Sequence, residues 1–134
     1  GPLGLYRFAD GKLTAVAAPG QPLPGGGQLS DIPLGYYGVS QANQLGQHAF
    51  LARLADGSTA AYRVQPDGTL SLILKSGMVT DLGKITLVGV SRPSASGLIR
   101  GGWGIALNSQ GQVALNVSID NGPTTLVLLT PSAP

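Results

Sequence analysis

Residues 43–74 constrain the fold more than any other stretch of the chain. Asn43-Gln-Leu-Gly46 opens onto the run Gln47-His-Ala-Phe-Leu-Ala-Arg-Leu54, which stops at Ala55-Asp56-Gly57. A second run, Ala60-Ala-Tyr-Arg-Val64, leads to Pro66-Asp67-Gly68, and a third follows as Thr69-Leu-Ser-Leu-Ile-Leu74. The runs are short and strand-like, and Asp-Gly between such runs is a strong hairpin signal because both residues tolerate positive φ. The stretch therefore reads as three antiparallel strands joined by tight reversals.

The rest of the chain restates this unit. Leu5-Tyr-Arg-Phe8, Asp10-Gly11 and Leu13-Thr-Ala-Val-Ala17 parallel Ala61-Tyr-Arg-Val64, Asp67-Gly68 and Leu70-Ser-Leu-Ile-Leu74. Downstream, Gly101-Gly-Trp-Gly-Ile105 echoes Gly35-Tyr-Tyr-Gly-Val39, and Asn108-Ser-Gln-Gly111-Gln-Val-Ala-Leu115 echoes Asn43-Gln-Leu-Gly46-Gln-His-Ala-Phe50. Asp120-Asn-Gly122 stands where Asp56-Gly57 stood, and Leu126-Val-Leu-Leu129 makes a last strand. With the strands of one unit lettered a to d, the chain runs c-d, a-b-c-d, a-b-c. That is about two units cut out of phase, roughly residues 5–60 and 61–130, within one domain over residues 5–134. Pro19 to Gly27, dense in Pro and Gly, reads as a surface crossover. Residues 78–102 read as a longer crossover holding an apolar patch, Ile85-Thr-Leu-Val88.

Composition agrees with an all-β chain. Of 134 residues, 21 are Gly and 10 are Pro, and no stretch carries helical spacing of apolar residues over three turns. In the central run His48, Phe50, Ala52 and Leu54 fall on one face, with Ala49 and Leu51 on the other beside Gln47 and Arg53. Leu70, Leu72 and Leu74 share a face opposite Ile73. Apolar residues on both faces suit a small sheet held between two others, as in propeller blades, and the competing architecture is a two-sheet β-sandwich.

The same composition excludes several functions. The chain has no Cys, which rules out disulfides and thiolate metal sites, and its six acids are all Asp. A net charge of +2 comes from scattered Lys and Arg, and the pI near 9.2 reflects scarce acids rather than a basic patch. Nucleic acid is therefore not an expected partner. No apolar run has the length of a membrane span. Gly1-Pro2-Leu3-Gly4 reads as the remnant a protease leaves when an expression tag is removed.

The repeat resembles a family of bacterial tandem-repeat proteins, often expected to be exported, whose unit carries Asn-x-x-Gly-x-x-x-Phe. Asn43, Gly46 and Phe50 match that pattern fully; Asn108 and Gly111 match, with Leu115 replacing the aromatic. Gly20-Gln-Pro-Leu-Pro-Gly-Gly-Gly27 is similar to the family's Gly-rich crossover, with Gln21 in place of Asp, whereas Gly77-Met-Val-Thr-Asp81 has drifted. The resemblance implies propeller-like blades and an exported setting, with no shared chemistry.

Residues that invite a chemical role mostly have a simpler explanation. Asn43 and Asn108 precede a Gly-Gln step, where Asn bonds its own backbone and Gly takes positive φ. Asp-Gly at 10, 56 and 67 makes hairpins; calcium needs several oxygens converging within one short segment. His48, the only histidine, occupies the slot of Val113 and reads as a packed or half-buried imidazole, too isolated for zinc. Gly38-Val-Ser-Gln-Ala42 imitates a nucleophile elbow without the helix that motif requires, so a hydrolase built on Ser40 and His48 needs the two side chains to meet. Gly77 to Lys84 imitates a phosphate loop, but with the wrong glycine spacing and Ile85 in place of the magnesium-binding hydroxyl. Asn116-Val-Ser118 is a formal glycosylation sequon inside an expected strand.

Tyr36, Tyr37 and Trp103 occupy equivalent Gly-flanked positions in the two units. Their expected place is packing between blades, and a lectin-like module stacking sugars on these rings is the alternative. The sequence thus points to a non-enzymatic, exported β-repeat module with no cofactor, serving structural or protein-binding purposes. The N-terminal hairpin is free to supply the missing d strand of the second unit or of a neighbouring copy. Two blades alone leave edges and faces open, so self-association through them is expected.

Overall fold

The computed structural model describes residues 3–32, 38–89 and 105–130. Among these residues the chain has no helix and eleven strands. They are β1 (Leu5–Ala9), β2 (Lys12–Ala17), β3 (Leu29–Asp31), β4 (His48–Leu54), β5 (Thr59–Val64), β6 (Leu70–Lys75), β7 (Val79–Thr80), β8 (Gly83–Val88), β9 (Ile105–Leu107), β10 (Val113–Ile119) and β11 (Thr124–Leu129). All pairings are antiparallel, and they form three sheets, none closed into a barrel. The two-sheet alternative is therefore replaced by three.

The first sheet is the hairpin β1-β2, reversed at Asp10-Gly11, where both residues have positive φ, 53° and 75°. This is the primed turn whose twist matches that of its strands. The central sheet has the order β3-β4-β5-β6 and is reversed at Asp56-Gly57 and Asp67-Gly68. Here only the Gly is left-handed, at φ 88° and 91°, and Leu54 and Gln65 close three-residue loops by accepting from Gly57 and Gly68. The third sheet runs β11-β10-β8-β7, with β9 also on β10.

In both larger sheets one edge is shared end to end by two segments. β4 pairs with β3 near Leu54 and, through a bridge from Val39 to Phe50, with residues 38–40 near its start. β10 pairs with β8 near Ile119 and with β9 near Val113. The stretch expected to be one long crossover, residues 78–102, thus contains two strands, β7 and β8, before it passes outside the described residues. Similarly, the Gly-rich crossover ends in the unforeseen strand β3.

The central sheet is buried on both faces. Phe50, Ala52, Leu54, Ala60, Tyr62 and Val64 join Val16 and Ala17 of the hairpin and Leu23, Leu29 and Ile32 of the connection in one core. Ala49, Leu51, Ala61 and Leu74 join Ile85, Val88, Val113, Leu115 and Val117 of the third sheet in the other. Phe50 and Tyr62 sit opposite each other on β4 and β5 and stack at 5.4 Å, both without solvent exposure. Burial pushes the Tyr62 hydroxyl above its usual pKa. The third sheet is also tied to the central one by Val88 N–H, which donates to Thr59 Oγ1 at 2.8 Å in a buried position.

Two expectations need correction. Leu74 does not share a face with Leu70 and Leu72: the register slips between Ala61, opposite Leu74, and Tyr62, opposite Leu72, so Ile73 is the extra residue of a β-bulge. Leu70 and Leu72 pack on the hairpin side, while Ile73 and Leu74 both belong to the third-sheet side. The N-terminal hairpin does not supply a fourth strand to the third sheet of its own chain. Its Val16 and Ala17 are instead buried against the central sheet, and no described strand pairs with the outer edge of β11.

Candidate functional site

Two turns 65 residues apart build the same hydrogen-bonded knot. At the first, Asn43 N–H donates to Gln47 O at 3.0 Å and Gly46 N–H to Asn43 O at 3.0 Å, with Gly46 at φ 75°. At the second, Asn108 and Gln112, and Gly111 and Asn108, repeat both bonds at 3.1 Å, with Gly111 at φ 81°. Asn43 Oδ1 accepts from Leu45 and Gln47 N–H at 3.0 and 2.9 Å; Asn108 Oδ1 accepts from Gln110 and Gln112 N–H at the same distances. Each Asn Nδ2 then donates to the Oε1 of its own Gln47 or Gln112, at 2.9 and 2.8 Å.

The two knots touch. Asn43 Nδ2 also donates to the carbonyl of Asn108 at 3.0 Å, and buried Arg63 reaches the Gly111 carbonyl through Nη1 at 3.4 Å. Gln47 Nε2 donates to Gln65 Oε1, as Gln112 Nε2 does to Thr130 Oγ1, so each knot also grips the strand beyond it. A Cβ on Gly111 would stand 3.0 Å from Arg63 Nη1 and 3.1 Å from Gln47 Oε1. Besides its turn, each Gly therefore leaves room that its neighbours fill.

A cleft of about 360 Å³ lies between the hairpin and the central sheet. Leu5 and Arg7 of β1 line it opposite His48, Val64, Gln65 and Pro66. His48 is half-buried and its Nδ1 lies 3.3 Å from the Ser40 carbonyl, which as an acceptor requires the hydrogen on Nδ1. Ser40 Oγ meanwhile accepts from Ala49 N–H at 2.8 Å and donates to the Gln41 carbonyl at 3.0 Å. The hydroxyl is thus committed to backbone, and the imidazole addresses the carbonyl rather than the hydroxyl of Ser40.

The Asp-Gly acids serve their own turns. Asp56 Oδ1 accepts from Ser58 N–H and Asp67 Oδ1 from Thr69 N–H, each at 2.9 Å. Hydrogen bonds from Ser58 hold Asp56 below the usual carboxylate pKa; those from Thr69, with a minor contribution from the Arg7 charge, do the same for Asp67. Among the described residues no three His, Asp or Glu side chains gather as a metal site would need. Large apolar side chains stand exposed at both ends of the layered stack: Phe8 and Leu13 on the hairpin, at 73% and 69%, and Leu126 and Leu128 on β11, at 70% and 64%.

The sequence model of a family of unknown function, DUF7453, matches residues 2–125. The chain belongs to that family. No curated protein and no solved structure matches it. In this DUF7453 chain the turn residues Asn43, Gly46, Asn108 and Gly111 come together in one cluster, while Phe50 lies apart in the core of the central sheet. Tyr36, Tyr37 and Trp103, the candidate sugar-stacking rings, lie outside the described residues. Gln47, Gln112 and Arg63 were not singled out from the sequence. The recurrence of Gln directly after each Asn-x-x-Gly carried a signal for the first two, whereas nothing local marks Arg63 as the side chain that crosses to the second turn.

Proposed function

We propose that this chain is a non-enzymatic β-repeat module whose sheets stack as propeller-like blades. Its role is structural or protein-binding, and its first partner is a second copy of itself. The observation that carries this reading is the contrast between the layers. The central sheet is covered on both faces, yet the two end layers turn Phe8 and Leu13, and Leu126 and Leu128, to solvent. Side chains of this size are usually covered when they gather into a patch. Among the described residues no strand pairs with the outer edge of β11, and an open edge is of the kind that recruits another strand. A second copy offers the same sheet chemistry that already covers the central layer.

The exported or cell-surface setting rests on the resemblance of the repeat. The non-enzymatic reading is supported by a Ser40 hydroxyl held by backbone and by acids engaged in their own turns. Light scattering at micromolar concentration tests the association. The wild type should have a mass above that of one chain, and Leu126→Lys combined with Leu128→Lys should return it to a monomer with unchanged circular dichroism. A wild type that stays monomeric across the concentration range refutes the proposal.

A further inference from the structure

The geometry points to the cleft between β1 and the central sheet as a binding site for a small organic carboxylate with an apolar body. A volume of about 360 Å³ lies within the range of ligand pockets, roughly 300 to 1,000 Å³. Leu5, Val64 and Pro66 give the walls apolar surface, and polar side chains, Arg7, His48 and Gln65 among them, stand between them. Arg7 stands on the hairpin side; His48 and Gln65 stand on the sheet side. This is the usual composition of a small-molecule site, in which apolar walls provide contact and a few polar groups fix orientation.

The charge of the cleft selects the ligand class. No Asp lines it. The acid that feels Arg7, Asp67, is held low mainly by Thr69, with Arg7 the smallest cause, and Arg7 makes no ion pair among the described residues. The guanidinium thus keeps its fork of donors for an incoming carboxylate, which it matches two bonds at a time. Gln65 lines the sheet side of the cleft, its Oε1 held by the Gln47 amide. With the His48 hydrogen on Nδ1 facing the Ser40 carbonyl, Nε2 is left to accept from a ligand hydroxyl. The carboxylate therefore goes to Arg7, and the apolar body lies along Leu5, Val64 and Pro66.

The single histidine makes the test clean, because one imidazole Cε1–H signal in the proton NMR spectrum reports the cleft. The protein is titrated with 3-phenylpropanoate and, separately, with the neutral 3-phenylpropanamide. The acid should shift the His48 signal saturably, at least about tenfold more tightly than the amide, and Arg7→Gln should remove that preference without altering circular dichroism. Running the same titration on the Leu126→Lys, Leu128→Lys variant separates the cleft from association, since this form should keep the preference for the acid. A His48 signal unmoved at millimolar acid, equal affinities for acid and amide, or an undiminished preference in Arg7→Gln would each overturn the assignment.

Discussion

Asn43 accepts two N–H groups of its own loop and donates both to Gln47 and across to the Asn108 carbonyl. Asn108 makes the matching bonds within its own loop but sends no side-chain bond back. Asn43→Ala should therefore cost more stability than Asn108→Ala, about 1–3 kcal/mol against less than half of that, as read by urea denaturation. Equal costs would mean that the link between the turns contributes nothing. At Gly46 and Gly111 the backbone sits in the left-handed region, so Ala at either should cost about 1–2 kcal/mol from backbone strain. A Cβ would also meet the Pro66 ring at Gly46, and Arg63 Nη1 and Gln47 Oε1 at Gly111, so neither substitution is relieved by open space. Asp56 and Asp67 are both held below their ordinary value of 3.8 by hydrogen bonds present only in the folded chain. Their contribution to stability is full above that value and is lost as pH falls through the lower folded values, so the thermal midpoint should drop on acidification below about pH 4. Asp56→Asn with Asp67→Asn should flatten that drop.

The hairpin strands were legible because Asp-Gly turns announced them and their apolar runs were long enough to read. β3, with three residues, is too short for any period, and it exists because Leu29 and Asp31 find β4. β8 showed only as an apolar patch; its strand character comes from pairing with β10, some thirty residues downstream. The alternation of β4 reads correctly from sequence, since its register to β5 is unbroken from His48 to Arg53. That of β6 does not, because the bulge at Ile73 is set by the partner strand and leaves no local mark. The same distance hid Arg63, whose contact is with a turn 48 residues later. Burial separates the elements energetically. Phe50→Ala on β4 should cost about 3–5 kcal/mol by denaturant unfolding, for it empties the stacked pair with Tyr62. Leu126→Ala on β11 should stay within about 0.5 kcal/mol in the monomer.

At the scale of the molecule, the described residues form three sheets in sequence; the middle one is covered on both faces, and β11 turns Leu126 and Leu128 to solvent. The account turns on what meets the outer layer formed by β11. Hydrogen exchange of the β11 amides that point away from β10, followed by NMR at low and high protein concentration, addresses this directly. Those amides should exchange freely when the chain is dilute and become protected as concentration rises, while the amides shared by β4 and β5 stay protected throughout. Fast exchange at every concentration would contradict the stacked, self-associating module; so would protection already complete in the dilute chain.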